Sequence, residues 1–128
     1  MAKKSNAARP TPGELDPLIH ERLRLGILSA LAVQDVLSFT ELRGLLQTTD
    51  GNLSVQARKL EAAGYVVCDK RFEARKPKST YRLSDDGRAA LESYLSTLSS
   101  ILPDLTQVRN GRPARPLRHG IEPLPSHG

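Results

Sequence analysis

The chain has 128 residues, with 19 Lys or Arg against 14 Asp or Glu and a formal charge of +5. That length fits one domain with loose ends, and the basic balance favours a polyanionic partner. A lone cysteine excludes an internal disulfide framework, and no apolar run suits a signal peptide or a membrane span, so a soluble cytoplasmic protein is expected.

Residues 1–13 are polar, with two prolines and a glycine, and are expected to form a disordered basic arm. Beyond them Leu18, Ile19, Leu23, Ile27, Leu28 and Leu31 fall near helical spacing, with Asp16 and Pro17 as cap and first-turn residue. Gln34 and Asp35 break the pattern. A second helix begins in LSFTELRGLLQ, where Ser38 and Glu41 have capping-box spacing, Thr40 is the rival cap, and Leu42, Leu45 and Leu46 make one buried stripe. After TTDG comes a third helix, with Asp50 as its expected N-cap and Gly64 as its left-handed stop.

YVVCDKRF and STYRLS have strand composition, and Pro77, which cannot donate a ladder bond, is assigned to the loop between them. A long helix over about 84–102 follows, capped by Ser84 with Asp85 and Asp86 at its positive end. Residues 103–128 hold four arginines among prolines and glycines without apolar periodicity, and a disordered tail is expected there.

This order of elements describes a winged helix-turn-helix over residues 14–102, mainly α with a β-hairpin wing (α+β). On the third helix, about 50–63, Leu53, Ala57 and Leu60 fall on one inward stripe. The outer face carries Asn52, Ser54, Val55, Arg58 and Lys59. Asn52 suits an adenine edge, Arg58 a guanine and Val55 a thymine methyl, while Thr49 and the amides around Gly51 suit a phosphate. Between Asp69 and Arg82 six Lys or Arg face two acids, which makes Arg75, Lys76 and Lys78 candidates to meet DNA phosphates or a minor groove from a wing over about 72–80. An Arg-Lys pair on a helix is ordinarily just solvated; the turn before it and the basic hairpin after it favour contact with double-stranded DNA.

On the last helix Leu91, Tyr94, Leu98, Ile101 and Leu105 alternate by three and four, and Leu95 and Leu102 widen the stripe. That pattern matches a helix–helix seam; its first part is expected to cap its own domain, and the stretch running past that domain predicts a homodimer.

The runs IHERLRLGIL from Ile19, RKLEAAGYV from Arg58 and YRLSDDGRAAL from Tyr81 resemble the winged-helix domains of bacterial and archaeal transcription regulators related to the MarR and ArsR families, most nearly their small stand-alone group. The resemblance implies a homodimeric, sequence-specific repressor, with Asn52, Ser54, Val55, Arg58 and Lys59 in the recognition-helix role and Arg75, Lys76 and Lys78 in the wing role. The third helix holds no Cys or His, unlike metal-sensing ArsR-type proteins, and no cofactor or effector is identified.

His20, His119 and His127 lack a metal spacing, and no phosphate-binding glycine loop or catalytic triad is present, so an enzyme is not expected. Cys68 is expected to be a strand thiol acting as a small hydrophobe, with redox sensing as the alternative because Lys70 and Arg71 are close. A protein-interaction module and a non-specific nucleic-acid binder are the alternative functions.

Overall fold

The computed structural model describes residues 10–111; the parts of the expected arm and tail at 1–9 and 112–128 lie outside them. The N-terminal part departs from expectation. Pro12–Glu14 form a 3-10 turn within the expected arm, and helix α1 spans Arg22–Val33, several residues later than the periodicity suggested. Asp16 does not cap it. Its carboxylate instead accepts from the Leu18 amide at 2.9 Å and from the Tyr65 hydroxyl at 2.6 Å, and Glu21 caps α1 by accepting from the Arg24 amide at 2.8 Å. Ile19 is fully buried although it lies before the helix.

Helix α2, Phe39–Leu46, starts at the expected capping box: the Glu41 amide donates to Ser38 Oγ at 3.0 Å, and the Ser38 amide donates to Glu41 Oε1 at 2.8 Å. Leu42 is buried and Leu46 half-buried, but Leu45 points to solvent, so the stripe is narrower than three leucines. Helix α3 spans Asp50–Ala62, and its N-cap is Thr49, one residue before the expected Asp50. It ends at Gly64, whose φ of 82° lets the Tyr65 amide donate back to the Leu60 carbonyl at 2.9 Å.

Strands β2, Val66–Glu73, and β3, Lys76–Leu83, form a longer hairpin than expected, closed by only Ala74 and Arg75. Pro77 is therefore in the ladder, opposite Phe72. A two-residue turn makes Glu73 and Lys76 the pair that exchanges hydrogen bonds, so the amide positions of the next pair point outward, where Pro77 loses nothing. A further strand, β1 at Leu37–Ser38, pairs with Tyr81 and Thr80 and gives the sheet order β1-β3-β2. Two residues carry no detectable period, which is why it was not foreseen.

Helix α4, Asp85–Ile101, is capped by Ser84 as expected, with the Gly87 amide donating to its hydroxyl at 2.9 Å. The tail is not wholly irregular: Leu105–Asn110 form helix α5, begun by a capping box between Asp104 and Gln107. Six residues are too few for a periodic signal, although the cap spacing was there to see. One core unites these elements. Ile27, Leu28 and Leu31 of α1 meet Leu42 of α2, Leu53, Ala57 and Leu60 of α3, the sheet residues Val66, Tyr81 and Leu83, and Leu91 and Tyr94 of α4.

Candidate nucleic-acid interface

With Leu53, Ala57 and Leu60 buried, helix geometry turns Asn52, Val55, Arg58 and Lys59 outward, and all four are exposed. Ser54 is half-buried and accepts from Arg58 Nη2 at 3.1 Å, which lays the guanidinium back along the helix. Thr49 serves first as a cap, with Oγ1 accepting from the Asn52 amide at 3.1 Å, so that amide is not available to an anion. Asp50, an acid at the start of this face, pairs with Arg43 at 2.5 Å. Both side chains are solvated, so the pair contributes little stability, but it offsets a carboxylate that would repel phosphate.

The hairpin stands beside α3 and encloses a groove of about 730 Å³ with it and the start of α2. Arg58, Lys70, Lys76 and Lys78 line it against Glu61 and Glu73, four cations to two acids. Lys78 donates to Glu73 at 3.1 Å and is partly neutralised; Arg75 and Lys76 make no ion pair among the described residues. The structure thus separates the three wing cations into two unpaired and one paired. Lys70 and Thr40, which also line the groove, were read from the sequence only in other roles, beside Cys68 and as a rival helix cap. Strand alternation could have found Lys70, since it shares a face with Val66 and Cys68.

At the base of the groove Tyr81 is buried opposite Cys68. Burial, and then the interaction with the Cys68 thiol, push the Tyr81 phenol up from its ordinary range, so it is a neutral hydroxyl here. Cys68 is half-buried, as a small strand hydrophobe would be.

The proposed dimer residues do not form one free surface. Leu91 and Tyr94, 4% and 3% exposed, fill the domain's own core, and Leu98 and Ile101 pack partly against it. As expected for the first part of the stripe, its first turns cover their own domain, and Leu91 and Tyr94 are therefore not available to a partner. Leu95 and Leu102 are exposed, 47% and 53%, and α5 adds Leu105 and Val108. Among the described residues no His, Cys, Asp and Glu cluster could hold a metal ion, and no helix is long and apolar enough to cross a membrane.

A family model described as a winged helix DNA-binding domain matches residues 23–102. The chain belongs to this family. The winged helix domain is 32% identical over 73 residues to an uncharacterized protein of Methanocaldococcus jannaschii, covering 57% of this chain and 79% of that one. Among solved structures it is similar to a transcriptional regulator homologue from Pyrococcus horikoshii, with 28% identity, TM-score 0.62, and coverage of 66% of this chain and 83% of that one. The fold is also that of the repressor CouR bound to a 23-mer DNA duplex, at 21% identity and TM-score 0.63, covering 74% and 66% of the two chains. The match bears out the winged-helix, DNA-binding class of domain that the sequence motifs implied.

Proposed function

We propose that this protein is a homodimeric repressor that binds a specific double-stranded DNA operator, with α3 in the major groove and the hairpin on the backbone or minor groove. One observation carries the reading: the exposed face of α3 that carries Asn52, Val55, Arg58 and Lys59 borders, through Arg58, the groove of a hairpin whose Arg75 and Lys76 make no ion pair among the described residues. Short side chains at the start of the helix let it approach base edges, and a cation beyond them can bond a guanine. The unpaired wing cations supply the sequence-independent attraction. CouR, a protein of the same fold, is bound to a 23-mer DNA duplex, which supports double-stranded DNA as the partner. Pairing two copies through the exposed leucines of α4 and α5 would present two α3 helices to half-sites about one DNA turn apart.

Selection from random duplexes tests the proposal and finds the operator together. A selected duplex is expected to bind at least a thousandfold more tightly than random duplex at about 150 mM salt. Equal binding of the two would reject sequence-specific regulation.

A further inference from the structure

The groove beside the hairpin occupies only one flank of α3. At about 100° per residue, Ser54, Arg58 and Glu61, which line it, lie on the side of the helix opposite Asn52 and Gln56. Those two residues line a second cleft, about 610 Å³, closed by Arg22 at the start of α1 and by Thr48 in the turn before α3. Val55 and Lys59 lie between the two clefts on the outward face.

Gln56 is held in a particular way. Arg24, whose side chain is only 12% exposed, donates through Nε to the Leu18 carbonyl and through Nη1 to Gln56 Oε1. A guanidinium has only donors, so Gln56 must give it the oxygen and direct its amide nitrogen elsewhere. The acid at this cleft, Glu21, is already engaged. Its carboxylate accepts from the Arg24 amide and lies 3.8 Å from the Arg24 guanidinium. Burial raises the Glu21 carboxyl, but amide hydrogen bonds from Arg24 and Leu23 and the charges of Arg24 and Arg22 outweigh it, so the net shift is downward and the group is ionised. Arg22 is exposed and makes no ion pair among the described residues. The polar side chains of the cleft with no other partner among the described residues all offer donors: the Arg22 guanidinium, the Thr48 hydroxyl, the Gln56 amide nitrogen and the amides of Gln47 and Asn52 at the rim.

We propose that Arg22, Thr48 and Gln56 form a second backbone-phosphate site, holding the DNA strand on the far side of the groove from the hairpin. It rests on the DNA-binding reading above and adds the contact that fixes the tilt of α3. With the wing on one strand and this cleft on the other, the outward face between them is centred on the base edges. Phosphate contacts of this kind set register without reading sequence.

The test uses the full chain, the duplex selected by the wild type and a random duplex, with anisotropy titrations from about 50 to 200 mM salt. Arg22→Ala is expected to weaken both duplexes roughly tenfold or more and to flatten the log–log salt slope by about 0.9. Gln56→Glu keeps an acceptor for Arg24, so thermal melting should hold, while its carboxylate repels phosphate and weakens both duplexes alike. A single neutral methylphosphonate at the contacted position should weaken the wild type and leave Arg22→Ala unaffected. Unchanged affinity in both variants, with wild-type preference intact, would overturn the phosphate site and leave the regulator reading standing. Loss confined to the selected duplex would overturn it too, since Gln56 would then be reading a base. Failure of the wild type to bind any duplex would remove both. Arg22→Ala alters an exposed side chain, so it decides the matter even where Gln56→Glu folds poorly.

Discussion

Arg75 has a φ of 67° and Ala74 one of 50°, so neither residue of the hairpin turn is of the type such turns favour. Glycine or asparagine would relieve about 1 kcal/mol of backbone strain at either position. Arg75→Gly is expected to leave folding stability within about 1 kcal/mol, because relief of strain is offset by the greater freedom of the unfolded chain. The same variant should flatten the salt slope of DNA binding by about 0.9. Urea titration and anisotropy in parallel check the two halves, and an unchanged slope would remove Arg75 from the interface. Gly87 is the opposite case, a residue whose role is purely architectural. A Cβ there would sit 1.9 Å from the Tyr65 carbonyl oxygen, a backbone atom that cannot turn aside. Gly87→Ala should therefore push α4 off the start of β2 and cost about 3 kcal/mol in urea denaturation. At this scale the outward face of α3 was legible, because three buried residues determine which others point to solvent. The pairing of Lys78 with Glu73 was not, because it depends on the hairpin register, which is known only once the turn is.

Among the elements, the helices with strong local signals were readable: the capping box of α2, the glycine stop of α3 and the serine cap of α4 all lie where the sequence placed them. The start of α1 was not readable, because Asp16 is recruited across the fold by Tyr65 and leaves capping to Glu21. Tertiary demand outweighed a local preference. That tether has a consequence for pH. The hydrogen bond to Asp16, followed by burial and nearby carboxylate charge, pushes the Tyr65 phenol up to about 12. Its folded value exceeds its unfolded value of about 10, so its contribution is fully present below pH 10 and is lost as pH rises toward 12. Tyr65→Phe is expected to lower stability at neutral pH and to remove its own share of the decline between those limits, the buried Tyr81 phenol supplying the rest. A wild-type melting temperature that is flat from about pH 9 to 12, compared across the titration range of the phenol, would contradict the assignment.

For the whole molecule, the proposed dimer rests on how apolar surface divides between the core and solvent. Leu91 and Tyr94 belong to the first; Leu95, Leu102, Leu105 and Val108 are left uncovered along α4 and α5. Such a patch is unusual on a monomer. Its position past the body of the domain suits a two-fold pairing that leaves α3 and the hairpin free for DNA. The double substitution Leu95→Glu and Leu102→Glu should convert dimer to monomer in sedimentation, while the circular dichroism and cooperative melting of the domain persist. Leu91→Glu should instead abolish the fold, since it inserts an unpaired charge into the core. The dissociated variant should lose affinity for a two-half-site operator much more than for an isolated half-site, because the second contact becomes a separate binding event. A wild-type protein that sediments as a monomer at concentrations where it still binds the operator would show that one domain suffices, and that the exposed leucines serve some other surface.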